Sequence, residues 1–127
     1  KFSSLRTKKE KQRIFKSHVV IIETDREKLY KRINNRVDIM IKEGLEDEAF
    51  KLKDFKELNT LNTVGYKEFF NYFDDKITYT QAVEKIKQNT RNYAKRQITW
   101  LKKYTKPINV YNNQEIESII IKLNQVI

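Results

Sequence analysis

The segment TYTQAVEKIKQNTRNYAKRQITW, from Thr78 to Trp100, decides the fold because it predicts one long amphipathic helix. Thr78 and Gln81 form a capping box, so we expect the helix to run from about 79 to 104. One side of this helix is predicted to be buried, and its residues are Ala82, Val83, Ile86, Thr90, Tyr93, Ala94, Gln97, Trp100, Leu101 and Tyr104. Other elements must cover that side.

The second half of this helix is strongly cationic. Its five basic residues are Arg91, Lys95, Arg96, Lys102 and Lys103, and no carboxylate lies between the first and the last. The segment therefore lacks the i, i+4 ion pairs of ordinary surface helices, and a bound phosphate backbone would relieve the repulsion. The whole chain has a net charge of +10 and a pI of about 9.7, which favours nucleic acid as partner. A merely solvated face remains the alternative, and Tyr93 and Trp100 are predicted to pack rather than to stack on bases.

The remaining segments predict a mainly α protein with one or two short strands. Thr24 and Glu27 form a capping box before a helix of about 25–43, whose apolar stripe is Leu29, Ile33, Val37 and Met40. Short helices are predicted over 45–52 and from Tyr66 to Phe73, separated by a polar loop over 53–63. A last helix, with Ile116, Ile119, Ile120 and Leu123 inward, is predicted from about 114 to the end.

Two short apolar runs, Val19–Ile22 and Ile108–Tyr111, read as strands, the first buried on both faces. Two short strands alone are marginal in water, so we expect further strands in the parent protein. The residues before them, 1–17, read as a basic lead-in.

Composition excludes several classes of protein. The chain has no cysteine and one histidine, His18, which excludes disulfide frameworks and histidine metal sites. No run approaches the roughly 18 apolar residues of a spanning helix, so we expect a cytoplasmic protein without membrane contact.

Arg36 lies at the margin of the apolar stripe of the helix over 25–43, where we expect its charge to be partly desolvated. A planar guanidinium there suits bidentate capture of a phosphate or carboxylate. A side chain that lies along the core with its head in water is the alternative.

Three blocks, Arg32–Glu48, Leu61–Phe70 and Asn89–Trp100, resemble successive parts of the tRNA dimethylallyltransferase family. The resemblance implies a P-loop-kinase-like α/β fold and transfer of a dimethylallyl group from dimethylallyl diphosphate to N6 of adenosine 37, in the anticodon arm of tRNAs that read codons beginning with U. It also implies Mg²⁺ in the parent enzyme, held mainly by the diphosphate and by other parts of the protein, and a monomer.

Carried over by position, Arg36 resembles the arginine that binds the diphosphate and stabilises the leaving group. Gly65 and Tyr66 would shape a turn beside the channel. The resemblance also implies two groups of tRNA-binding residues. They are Glu57, Leu58, Asn59, Thr60, Leu61 and Asn62 in the loop, and Thr90, Arg91, Asn92, Tyr93, Ala94, Lys95, Arg96 and Gln97 on the long helix.

The chain departs from the family pattern in lacking a P-loop. That loop needs two glycines in G-x-x-x-x-G-K-[ST], and neither Gly44 nor Gly65 lies in such a pattern. We therefore expect residues 1–127 to be one carboxy-terminal portion of the catalytic domain, with 1–17 coming from a helical insertion, and to be inactive alone. A non-catalytic basic helical RNA-binding module and an adenylate isopentenyltransferase remain alternatives.

Overall fold

The computed structural model describes residues 14–111 and 115–125, so most of the predicted basic lead-in lies outside the described residues. The chain divides into two units, one over Glu23–Thr105 and one formed by the described parts of Lys1–Ile22 and Lys106–Ile127. The mainly helical fold class is confirmed.

Four helices make up the first unit: α1 (Arg26–Lys42), α2 (Leu45–Lys51), α3 (Tyr66–Phe73) and α4 (Tyr79–Leu101). Two 3₁₀ turns, Lys53–Phe55 and Asn59–Leu61, interrupt the predicted polar loop. All four helices were predicted, although α4 ends three residues early.

The N-cap of helix α1 lies one residue later than predicted. Asp25, not Thr24, is the N-cap, and its carboxylate accepts hydrogen bonds of 3.0 Å from the backbone N–H groups of Glu27 and Lys28. An aspartate caps as well as a threonine and adds a charge that the helix dipole favours, so the adjacent residue takes the position. The Thr78–Gln81 capping box of α4 is confirmed.

The core of this unit lies where α1, α2 and α3 meet the first half of α4. Its buried residues are Val37, Leu45, Ala49, Phe69, Phe70, Ala82 and Ile86. The predicted apolar stripe of α1 and the aromatic side of α3 both face this core. Gly44 joins α1 to α2 with φ of 102°, a left-handed conformation that costs other residues roughly 1–2 kcal/mol.

The second half of α4 departs from the prediction. Tyr93 and Trp100 are each 53% exposed, and Gln97 and Tyr104 are exposed as well. Helix α4 has 23 residues and is about 35 Å long, whereas the eight residues of α3 extend only about 12 Å. The buried residues of α4 are Ala82 and Ile86, both in its first half, so the prediction that Tyr93 and Trp100 pack in the core is wrong for the described residues.

The second unit contains a two-stranded sheet of β1 (Val20–Glu23) and β2 (Ile108–Tyr111), followed by α5 (Ile116–Asn124). The N–H of Ile108 donates to the carbonyl of Val19 at 2.8 Å. Side chains of β2 alternate between buried and exposed.

Two predictions for this unit are corrected. Val20 and Ile22 of β1 are exposed, so β1 is not buried on both faces, because β2 is the one strand that pairs with it among the described residues. On α5, Ile119 and Leu123 are partly buried, but Ile116 and Ile120 are exposed rather than inward.

Candidate nucleic-acid interface and anion cleft

Helix α1, the loop before α3 and helix α4 enclose a cleft of about 380 Å³, the Arg36 cleft. Its lining residues are Ile33, Arg36, Val37, Met40, Val64, Ile86, Thr90 and Tyr93. The wall is mostly apolar, and its polar side chains are the guanidinium of Arg36 and the hydroxyl-bearing Thr90 and Tyr93. Such a cleft suits a ligand with a small apolar group and an anionic head.

The structure brings Arg36 together with two of the residues predicted to bind tRNA, Thr90 and Tyr93. The Thr90 hydroxyl donates to the carbonyl of Ile86 at 2.8 Å, which fixes its rotamer. Arg36 itself is exposed, so the expected partial desolvation of its charge is wrong. Arg36 also lines the cleft, so its guanidinium is available to an anion that enters there.

A second cleft of about 430 Å³, the lysine cleft, lies between the loop and α3. Its lining residues are Lys56, Glu57, Leu58, Asn59, Leu61, Asn62, Lys67, Phe70, Asn71, Asp74 and Lys76. It includes every residue of the predicted loop segment 57–62 except Thr60. The two clefts thus take up some of the predicted site residues, whereas Thr60, Arg91, Asn92, Ala94, Lys95, Arg96 and Gln97 line neither of them.

Asp74 organises two of the lysines in this second cleft. Its carboxylate lies 2.7 Å from Nζ of Lys56 and 3.1 Å from Nζ of Lys76. The hydrogen bonds from Lys56 and then Lys76 hold the pKa of Asp74 below its usual value, and the bond to Asp74 raises the pKa of Lys56. Sequence reasoning missed this cluster because Lys56 and Asp74 are 18 residues apart in sequence.

Arg91 is not on a fully solvated face of α4, because it is partly buried beside α1. Its Nη1 donates to Oδ1 of Asn34 on α1 at 2.7 Å, and one turn earlier Nζ of Lys87 lies 2.7 Å from Oδ1 of Asp38. Helix α4 packs against both α1 and α3. A side of α4 that points away from one of these helices can therefore face the other one. One donor of Arg91 is therefore used within the protein.

The remaining residues of the predicted segment 90–97 differ in exposure. Lys95, Arg96 and Gln97 are exposed, whereas Asn92 and Ala94 are partly buried. The Arg96 guanidinium lies 5.7 Å from the centre of the Tyr93 ring, a cation–π contact. Lys95 and Arg96 are the charged groups of this segment best placed to meet phosphate.

Glu68 is a buried residue that sequence reasoning missed. It is 1% exposed, and its carboxyl accepts from the Gly65 N–H at 2.8 Å and from Nδ2 of Asn89 at 2.7 Å. The first bond is half of a capping box, but glycine at the cap offers no side chain, so the pattern is not visible in sequence. The turn predicted at Gly65 is present, with φ of 110°.

Within residues 14–111 and 115–125 no group of three or more His, Asp or Glu side chains could hold a metal ion. In the same part of the chain, no helix is long and apolar enough to cross a membrane.

Comparison with known proteins gives one consistent family. The profile of the family described as IPP transferase matches residues 1–104. The chain is 52% identical over 102 residues to a tRNA dimethylallyltransferase of Christiangramia forsetii, covering 80% of this chain and 34% of that protein. It is 48% identical over 126 residues to tRNA dimethylallyltransferase 2 of Parabacteroides distasonis, covering 99% and 42%.

Two solved structures are similar in fold. The full-length tRNA isopentenylpyrophosphate transferase of Bacillus halodurans superposes with a TM-score of 0.76 at 34% identity, covering 86% of this chain and 37% of that one. The corresponding Staphylococcus epidermidis enzyme gives 0.75 and 34%, covering 88% and 38%. The chain spans about two fifths or less of the length of these relatives, and its helices match the carboxy-terminal part of their fold. The predicted resemblance is confirmed: this chain belongs to the IPP transferase family.

Proposed function

We propose that this chain is the part of a tRNA dimethylallyltransferase that binds the anticodon arm and holds the diphosphate of the prenyl donor. The observation that carries the proposal is the Arg36 cleft, where Arg36, Thr90 and Tyr93 line one apolar space. A dimethylallyl group suits the apolar wall, and a diphosphate suits the exposed guanidinium.

The proposed reaction breaks the allylic C–O bond of dimethylallyl diphosphate and forms a C–N bond to N6 of adenosine 37. N6 loses a proton and diphosphate leaves. Negative charge grows on the diphosphate oxygens as the C–O bond lengthens, so a cation fixed at the cleft mouth stabilises the transition state more than the ground state. In this proposal Arg36 is the catalytic residue, and it contacts the leaving group.

The RNA contacts are proposed to come from the lysine cleft and from residues of α4 that lie in and beyond the Arg36 cleft. The loop segment 57–62, together with Lys56 and Lys76, would receive the RNA backbone in the lysine cleft, while Thr90, Tyr93, Lys95, Arg96 and Gln97 would contact nucleotides near the target adenosine. Adenosine must leave its stack to reach the Arg36 cleft, which costs a few kcal/mol that these contacts offset. The exposed Tyr93 ring could stack on a base.

We propose further that residues 1–127 do not transfer the prenyl group by themselves and that, in the whole enzyme, Mg²⁺ is held by the substrate diphosphate and groups elsewhere in the protein. Release of diphosphate with formation of prenylated RNA by the 127-residue chain would contradict the first point.

Calorimetric titration of the chain with dimethylallyl diphosphate tests the role of Arg36. Arg36→Ala should weaken binding roughly tenfold or more, because a charge-assisted hydrogen bond contributes about 1.5–3 kcal/mol. Arg32→Ala is the matched control: it removes the same charge from an exposed position of α1, one turn away and outside the cleft lining. Equal losses for both variants would mean that only general charge attracts the ligand.

The exposed cations of α4 favour a second candidate, a non-catalytic RNA-binding module. A module of this kind should bind RNA with no response to dimethylallyl diphosphate. The calorimetric titration with dimethylallyl diphosphate, repeated with RNA already bound, distinguishes the two functions.

A further inference from the structure

Glu68 presents a carboxyl group in the interior without a cationic partner. It is 1% exposed, and none of the salt bridges within the described part of the chain includes it. A buried carboxyl is costly unless hydrogen bonds compensate. Both oxygens are used here, one by the Gly65 N–H and the other by the Asn89 amide.

Gln81 shows what an ordinary capping residue does in the same fold. It occupies the corresponding third position of α4 and accepts from the Thr78 N–H at 2.9 Å, but it is exposed. Glu68 makes the same bond at the start of α3 and adds a second bond, to a different helix. Its burial and its cross-helix bond go beyond the requirements of a cap.

The two partners of Glu68 adjoin the two predicted RNA-contacting segments. Gly65 follows Val64, which lines the Arg36 cleft, and the loop before it ends at Asn62 in the lysine cleft. Asn89 directly precedes Thr90, which lines the Arg36 cleft from α4. One carboxyl group therefore ties the end of the loop to the start of the segment 90–97.

We propose that Glu68 is a positioning residue that sets the spacing between the loop 57–65 and the segment 90–97, and thereby determines which RNA the two clefts accept together. The inference rests on the proposed function. A correct spacing matters to an RNA that must contact both segments, whereas an RNA held by charge alone does not depend on it. Loss of the Glu68 bonds should therefore reduce selectivity more than general affinity.

The test is the ratio of dissociation constants for an unrelated hairpin and an anticodon stem-loop of equal length, measured with the full 127-residue chain and its variants. Glu68→Ala and Asn89→Ala should each reduce this ratio at least fivefold while changing affinity for the unrelated hairpin less than twofold. Glu68→Gln should retain the ratio, because glutamine can accept from Gly65 and donate to a flipped Asn89 amide. Gln81→Ala, which removes a matched capping bond away from both clefts, should behave as wild type.

The outcomes separate the two proposals. Absence of any preference in the wild-type chain overturns the proposed function and this inference with it. A wild-type preference that persists in Asn89→Ala, with circular dichroism showing the helices intact, overturns this inference alone. Asn89 is only partly buried, so this variant keeps the test decisive if Glu68→Ala does not fold.

Discussion

Tyr66 and Glu48 form a single hydrogen bond that joins α3 to α2, with the phenol donating to the carboxylate. The bond to Glu48, followed by partial burial, raises the pKa of Tyr66 above its ordinary value of 10.0. A raised pKa means that folding favours the protonated phenol. The contribution of the Tyr66–Glu48 hydrogen bond to stability is therefore complete below pH 10 and is lost as pH rises through the raised pKa of Tyr66.

Tyr66→Phe should lower the free energy of unfolding by about 1 kcal/mol or less below pH 10, since the bond is partly exposed. Urea unfolding between pH 8 and 11 should show that the difference in free energy of unfolding between wild type and variant becomes smaller at the alkaline end. Tyr72→Phe removes a hydroxyl from the same helix that makes no hydrogen bond to the described residues, and this variant should show no such decrease. A gap that stays constant over this range would contradict the assignment.

Helix α4 is the element on which the RNA hypothesis depends most. Lys95 and Arg96 are exposed, whereas Arg91 is held by Asn34. Lys95→Ala with Arg96→Ala should flatten the dependence of log K on log salt for RNA binding by about 0.7 to 0.9 for each RNA phosphate that the variant no longer neutralises.

The control for this double variant is Lys31→Ala with Lys42→Ala, which removes two exposed charges from α1 outside both clefts. Fluorescence anisotropy over a salt series gives both slopes. Equal slopes for the two double variants would show that the exposed face of α4 is merely solvated.

For the helices of the first unit, periodicity and capping patterns predicted where each helix lies but not everything that surrounds it. The aromatic spacing of α3 gives its buried side correctly, because α2 and α4 both pack against this short helix. On α4 the same reasoning fails for Tyr93, Gln97, Trp100 and Tyr104, which are exposed, since periodicity identifies an apolar side but not how far along it the neighbouring elements reach. Glu68 escaped notice because its partner on α4 is 21 residues away.

For the whole molecule, the candidate site depends on contacts between segments far apart in sequence. Arg36 and Tyr93 line one cleft although they lie on different helices, α1 and α4, and no local pattern states that they meet. The family resemblance selected both residues, and the structure adds the apolar wall between them. It also adds the lysines around Asp74, which the resemblance did not include.

The most direct test of the central claim is binding of the 127-residue chain to an anticodon stem-loop with adenosines after the anticodon, compared with an unrelated hairpin of equal length over a salt series. We expect a preference for the anticodon arm that survives rising salt, because the two clefts recognise shape and bases as well as charge. Equal affinities that fall together as salt rises would contradict that claim.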